Sequence, residues 1–522
     1  MAGDQDGSGA VMPSVRHRGS PAGLVSGVSY SAIAQAAPLL ANFALTPFLV
    51  HHLGLERFGV WSLLLIFLAT LTVLDGGVGA SLARFHAVYG ARGDSDGAGR
   101  LVVGSLAVFV GLGTVVTGVC FAAAPHLVTL LNIPPRLQSE AQGLLLWLGP
   151  LLTLALASNS ATALLQANAQ FRRLAAATVG SCLVYAVAVV LVVGQGRSLP
   201  ALAAVAAGRY ALLLTAGLCL GARHLSVRRP LLPGKSVRRE FGGYAFRMQL
   251  SGFTVFLNGE IDAFVIAAML PVRYVGIYAA GYQVASALRS LPLYAFPPLL
   301  TRMTGVFAER GLAGATREFH ALQRNWLPVT LAYGAVTLTA VWFAVRTWLG
   351  EGLALSGVVA AVLLVGYIVQ VALTGIRTCF VRAIGRPGLE TRYSWCSTLV
   401  NLALTVPLAL LFGVTGVVLA TTIGLLAGSL YFVVLCRRVS DLHEQRLPGH
   451  WAAATGAGVV VTAVGELLVT RLGWHGVLPT LLAGVPVLAG LATAAALGVR
   501  APPPPVPTAI ADEVLEEGGE RR

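Results

Sequence analysis

Lysine is almost missing from this chain. Lys235 stands alone among 36 basic residues, no G-x-x-x-x-G-K-[ST] pattern occurs, and the chain therefore has no P-loop with which to hydrolyse a nucleotide. Charge of either sign is scarce, at 11% of residues where a soluble chain averages about a quarter, which excludes an ordinary soluble domain. The six cysteines lie in or beside apolar runs with no C-x-x-C pair, so they suggest packing rather than a disulfide framework or a metal site. There is no H-E-x-x-H and no G-x-S-x-G elbow. No metal or cofactor is expected.

Apolar residues fill the space that charge leaves: 56% of the chain is hydrophobic and its mean hydropathy is +0.76. Fourteen runs are long enough to cross a bilayer, near 24–50, 58–80, 101–123, 142–166, 174–195, 199–222, 243–270, 274–299, 326–349, 353–373, 395–412, 416–436, 449–470 and 476–498. The expectation is an all-α polytopic membrane protein of about 14 transmembrane helices. With a cytoplasmic N-terminus, 27 of the 36 basic residues fall in cytoplasmic segments, six outside, and Arg209, Arg247 and Arg289 within spans. That asymmetry obeys the positive-inside rule in every loop and puts both termini in the cytoplasm. It also accounts for the net charge of +14 through topology, so no nucleic-acid partner is expected. The densest cluster, Arg223 to Arg239, is placed to meet anionic headgroups. The excess of arginine over lysine, with abundant Ala, Gly and Val, points to a GC-rich bacterial genome.

The polar residues inside the spans are patterned. Arg247, Ser251, Thr254, Asn258 and Asp262 are spaced 4, 3, 4 and 4, which makes one stripe on one helical face, with Glu260 off it. A charge at the bilayer centre costs about 2.5–3.5 kcal/mol on insertion scales, so this stripe must face protein or water. Subtracting 216 gives Ser31, Gln35, Pro38, Asn42 and Thr46 in the first span, a second stripe with the same spacing. The hairpin 53–94 likewise matches 270–311, with Gly59 against Gly276 and Arg84 against Arg302, and 170–196 matches 384–413. Spans one to six thus repeat as seven to twelve. Six is even, so the copies are parallel, related by an axis along the membrane normal with a ligand site between them.

The expected organisation is a disordered N-terminus (1–23), an N-lobe of six spans (24–222), a basic cytoplasmic linker (223–241), a C-lobe of six spans (242–436), two further helices (449–498) and a Pro-rich, acidic cytoplasmic tail (500–522). The first apolar run is too long for the core of a cleavable signal and reads as the first span. The Asp94-Ser95-Asp96 triplet sits in a short loop without a nucleotide-binding domain, and His51 and His52 end the first span with no third ligand near. In span eight, Tyr282, Ser286 and Arg289 share a face. An Arg247 or Arg289 paired with Asp262, Glu260 or Asp75 would be purely structural; the uncharged Ser251, Thr254 and Asn258 argue for a cavity instead.

The segments LGLERFGVWSLLLIFLATLTVLDGGVGASLARF (53–85), VRYVGIYAAGYQVASALRSLPLYAFPPLLTRM (272–303) and GVTGVVLATTIG (413–424) resemble the polysaccharide transporter family of the MOP flippase superfamily, the O-antigen and exopolysaccharide lipid flippases. The resemblance implies two six-helix lobes around a cavity lined largely by helices one and seven. It implies transport of undecaprenyl-pyrophosphate-linked oligosaccharide from the inner to the outer leaflet of the bacterial cytoplasmic membrane, without an enzymatic step. Membrane lipids, a polysaccharide polymerase and glycosyltransferases are the partners it implies. On this reading Arg247 and Arg289 hold the pyrophosphate, Gln35, Asn42, Ser251 and Asn258 meet sugar hydroxyls, and Asp262 and Glu260 serve ion or proton coupling. The competing reading within the same fold is an ion-coupled multidrug or metabolite antiporter. A membrane glycosyltransferase is disfavoured by the absence of a large external loop.

Overall fold

The computed structural model describes residues 21–72, 95–168, 170–221, 261–350, 353–440, 442, 449–471 and 485–494. The expectations for Arg247, Ser251, Thr254, Asn258, Glu260, Asp75, the 223–241 linker and the two terminal tails lie outside the described residues. Within them every regular element is a helix: α1 (Pro21–Thr72), α2 (Ser95–Leu130), α3 (Pro135–Leu146), α4 (Leu148–Ala167), α5 (Phe171–Gly194), α6 (Leu199–Gly221), α7 (Ile261–Met269), α8 (Arg273–Leu293), α9 (Phe296–Leu349), α10 (Ala354–Ala383), α11 (Gly388–Phe412), α12 (Val414–Ser440), α13 (Gly449–Arg471) and α14 (Val485–Ala494). Ten helices among the described residues are long and apolar enough to cross a membrane. The protein is a multi-pass, all-α membrane protein of the expected class.

Boundaries differ where a helix outlasts its apolar run. The first two expected spans form one element because α1 only changes direction at Gly54, whose φ of 74° and ψ of 164° suit a residue without a Cβ. In α9, Gly311 (φ 63°) similarly separates a stretch entering from α8 from the long arm that follows. Between the expected spans 101–123 and 142–166 lies the start of α3, an amphipathic helix that runs on to Leu146 and buries Leu137, Ala141, Leu144 and Leu145 along one face. Arg377, expected in a cytoplasmic loop, is a fully buried residue within α10. Its guanidinium donates to the carbonyl of Leu373 and lies 5.6 Å over the Phe319 ring, so the helix continues past the charge that ended the apolar run.

The chain divides into two compact units. The first comprises Met1–Asn42, Phe67–Ala124 and Gln142–Phe253. In it α2 and α4 cross closely through Gly113 and Gly149: a Cβ on Gly113 would lie 2.8 Å from the Gly149 carbonyl, and one on Gly149 2.9 Å from the Thr117 nitrogen. The hydroxyls of Ser105 and Ser160 join the same pair of helices at 3.2 Å. Small residues serve this purpose in membranes because apolar side chains gain little over lipid, leaving close packing and hydrogen bonds to hold helices together.

The second unit comprises Phe43–Ile66, Pro125–Ala141 and Thr254–Arg522. Here α10 packs against α8, α9 and α12, and α11 and α12 form a hairpin. One core cluster gathers Val284, Val341, Val345, Trp348, Leu364 and Ile368; Trp348 stacks on Phe43 at 4.2 Å and donates its indole N–H to the Phe43 carbonyl. A second joins Met303, Phe319, Ile376, Phe380 and Phe432. Two glycines matched in the sequence meet in this unit. A Cβ on Gly276 would lie 3.1 Å from the carbonyl oxygen of Leu55, and one on Gly59 would strike the carbonyl oxygen of Val272. Each glycine thus receives the carbonyl four residues before the other.

Candidate transport site

The buried carboxylate of Asp262 is the chemical centre of the second unit. The residue is 3% exposed on α7, and its neighbours come from α8, α11 and α12. Asn401 donates from Nδ2 to Asp262 Oδ1 at 3.3 Å, the Thr421 hydroxyl bonds Oδ2, and Tyr278 also hydrogen-bonds the carboxylate. Thr405 adds a hydroxyl 2.8 Å from Asn401 Oδ1. The partners are placed by helical spacing, since Asn401 and Thr405 are one turn apart on α11. Thr421 sits one turn from Val417 on α12, with its hydroxyl 3.3 Å from the Val417 carbonyl.

This cluster holds more acceptors than donors. The one hydrogen of Thr421 faces Asp262 Oδ2, Asn401 Oδ1 at 3.5 Å and the Val417 carbonyl. The one hydrogen of Thr405 faces both the side-chain and backbone oxygens of Asn401. Lone pairs from oxygen alone, around one buried negative charge, suit a proton or a hard monovalent cation and no soft metal. Among the described residues no basic side chain forms an ion pair with Asp262, and no cluster of three His, Cys, Asp or Glu suggests a metal centre.

Arg289 occupies the other end of the same face of α8. Tyr278, Tyr282 and Arg289 stand at i, i+4 and i+11, and the first two rings stack at 5.7 Å. At 1.5 Å per residue Arg289 is about 17 Å along the axis from Tyr278. It is half-buried, its guanidinium lies 4.6 Å over the ring of Tyr367, Tyr393 is within its electrostatic reach, and its Nε has no hydrogen-bond partner. No carboxylate among the described residues pairs with it, so the structural Arg289–Asp262 pair weighed from the sequence is absent. The face leaves a cation with open donors at one end and an acceptor-rich carboxylate at the other.

The remaining sequence candidates are dispersed. Gln35 and Asn42 are exposed on α1, and Thr46, the first-span counterpart of Asp262, is buried with its hydroxyl 2.9 Å from Gln283 Oε1. Arg209 lies within 5.6 Å of the ring of Tyr185 and 5.3 Å of that of Tyr210, inside the first unit. Asp96 pairs with Arg100 at the start of α2, as a helix-terminal acid does, and Asp94 is outside the described residues. His52 bonds the Phe48 carbonyl one turn back. Sequence reasoning missed Asn401, Thr405 and Thr421. Their one available signal was the four-residue spacing of polar groups inside apolar runs.

A second set of contacts surrounds the Gly59–Gly276 approach in the same unit. Arg57 grips Glu140 of α3 with two hydrogen bonds of 2.6 and 3.1 Å, Arg136 pairs with Glu56, and Asn132 donates to the Ala268 carbonyl at 2.8 Å. These residues lie at the end of the helices that the charge pattern predicts to be external.

Residues 24–303 match the family model described as polysaccharide biosynthesis protein. The chain belongs to that family. No curated protein matches the sequence. Among solved structures, the lipid II flippase MurJ in an inward closed conformation superposes with a TM-score of 0.65 at 11% identity, covering 91% of this chain and 98% of that one. An inward-facing multidrug resistance MATE family transporter of the MOP superfamily gives 0.62 at 16% identity over 80% of this chain and 98% of that one. A MOP superfamily transporter from Pyrococcus furiosus gives 0.50 at 17% identity, over 81% and 96%. At these identities the likeness is one of fold, and the fold is that of the MOP transporters. This member of the polysaccharide biosynthesis family is thus a multi-pass membrane protein with the fold of the MOP transporters.

Proposed function

We propose that the protein is a flippase that carries an undecaprenyl-pyrophosphate-linked oligosaccharide from the inner to the outer leaflet of the bacterial cytoplasmic membrane, with both termini in the cytoplasm. The observation that carries this reading is Arg289: a half-buried guanidinium in a multi-pass member of the polysaccharide biosynthesis family, backed by an aromatic ring and, among the described residues, without a carboxylate partner. Guanidinium presents two parallel donors that match phosphate oxygens, and the face of Tyr367 holds it in place without neutralising it. Arg247 is assigned to the same pyrophosphate, and Gln35, Asn42, Ser251 and Asn258 to sugar hydroxyls, where amides and hydroxyls exchange hydrogen bonds without a fixed charge.

Asp262 is assigned to coupling, with Glu260 beside it. Binding a proton or a cation there removes the acceptor excess and changes which partner each hydroxyl of Thr421 and Thr405 prefers. The packing of α7 on α11 and α12 then differs between loaded and empty states, which is the requirement for an ion to bias a transport cycle. Release of the carried lipid to the outer leaflet requires the Gly59–Gly276 approach and its ion pairs to part.

Deleting the gene from its host tests the reading. Lipid-linked oligosaccharide is expected to accumulate in the cytoplasmic leaflet while its synthesis continues, with polymerase and glycosyltransferases intact. Unchanged surface polysaccharide, together with lost extrusion of cationic dyes, would contradict it and favour the antiporter.

A further inference from the structure

The α11–α12 hairpin carries a groove on its outer surface that is separate from the residues assigned to transport. It has a volume of about 710 Å³ and is lined by Gly388, Thr391, Arg392, Trp395, Leu399 and Tyr431, among others. On α11 these stand at i, i+3, i+4, i+7 and i+11, one face followed for three turns, or about 17 Å. The chemistry changes in order along it. Arg392 comes first, then the rings of Trp395 and Tyr431, then Leu399, beyond which exposed Leu402, Val406 and Leu410 continue the same face. That is the order of a bilayer leaflet from headgroup through interface to acyl chain.

The charge at the head of the groove is available. Glu390, the nearest acid on α11, is held by Arg382 in two hydrogen bonds of 2.6 and 2.7 Å, and no described residue pairs with Arg392. Arg438 is exposed two turns beyond Tyr431 on the same face of α12, so a second cation stands at the same end. A Cβ on Gly388 would meet nothing within 4 Å, so the mouth is open. The positive-inside pattern predicts this end to be cytoplasmic.

We propose that this groove is a binding site for one anionic phospholipid of the inner leaflet, its phosphate held by Arg392 and Arg438 and one acyl chain lying along Leu399, Leu402 and Val406. Charge selects the headgroup, and the continuous exposed apolar strip selects a lipid over a free phosphate. The proposal does not depend on what is transported.

The test uses the full-length purified protein in detergent with phosphatidylglycerol or phosphatidylcholine added, read by mass spectrometry of the intact complex. Phosphatidylglycerol is expected to be retained in preference. At about 1 kcal/mol per arginine, Arg392→Ala should weaken retention about fivefold and the Arg392→Ala, Arg438→Ala pair about 25-fold, with Arg392→Lys near wild type and Arg197→Ala, in a segment that the charge pattern predicts to be external, unchanged. Cys396, half-buried in the groove, gives a second readout on the unaltered chain: phosphatidylglycerol should slow its alkylation and phosphatidylcholine should not. Equal retention of the two lipids, or an unprotected Cys396, would overturn the proposal. Protection by undecaprenyl phosphate but not by phosphatidylglycerol would overturn it too, by giving the groove to the carrier lipid.

Discussion

Arg289 and Asp262 divide the chemistry of the second unit between a cation with open donors and a carboxylate with too few. Because no carboxylate among the described residues depends on Arg289, Arg289→Ala should leave the amount of folded protein unchanged, unlike the loss of one partner of a buried pair. Charged hydrogen bonds contribute about 1.5–3 kcal/mol, so transport should fall on the order of 10- to 100-fold, measured as initial rate in proteoliposomes. Arg289→Lys should keep part of the rate, since it retains the charge and loses the fork. A drop in folded protein for Arg289→Ala would show that the residue is structural. At Asp262 the near-isosteric Asp262→Asn removes the charge and replaces one of the two acceptor oxygens, facing either Asn401 Nδ2 or the Thr421 hydroxyl, with an NH2 donor. The expected result is transport that no longer responds to an imposed proton or sodium gradient, with carried-lipid binding retained. Undiminished gradient dependence would remove Asp262 from coupling.

At the scale of helices, much was legible in the sequence, for a physical reason. A bilayer demands runs of about 20 apolar residues, and that demand is written into composition, so the helices and their order could be read off. The match of Gly59 to Gly276 was readable only as equivalent positions of a repeat; their close approach, which leaves no room for a side chain, was not. The partners of Asp262 were not: Asn401 and Thr421 lie 139 and 159 residues away, and a threonine in an apolar helix more often returns its hydroxyl to its own backbone. Arg377 was misplaced because the apolar run stops before it, whereas the helix continues on the Leu373 carbonyl and the Phe319 ring. The glycine contact makes its own prediction. Gly59→Val sets a branched side chain against the backbone of Val272, where no rotamer relieves it, and overpacking of this kind costs about 1–3 kcal/mol. The two segments should be driven apart, and a cysteine at Ala268 should become more reactive toward an impermeant thiol reagent added from outside. Unchanged reactivity would mean that the contact is not part of the external closure.

For the whole molecule, two commitments follow from charge and family together. The first is orientation: a cysteine in place of Lys235 should react with an impermeant reagent only after the membrane is opened, and labelling from outside in intact cells would invert the topology. The second is the central claim, that a lipid-linked oligosaccharide is moved across the bilayer by means of Arg289. The most direct measurement places the purified protein in vesicles loaded on one leaflet with labelled undecaprenyl-pyrophosphate oligosaccharide and follows cleavage of the sugar by a glycosidase confined to the opposite side. The wild type should expose the sugar at a rate well above empty vesicles, and Arg289→Ala should fall back toward them. Exposure no faster than in empty vesicles, with the folded protein present, would contradict the account.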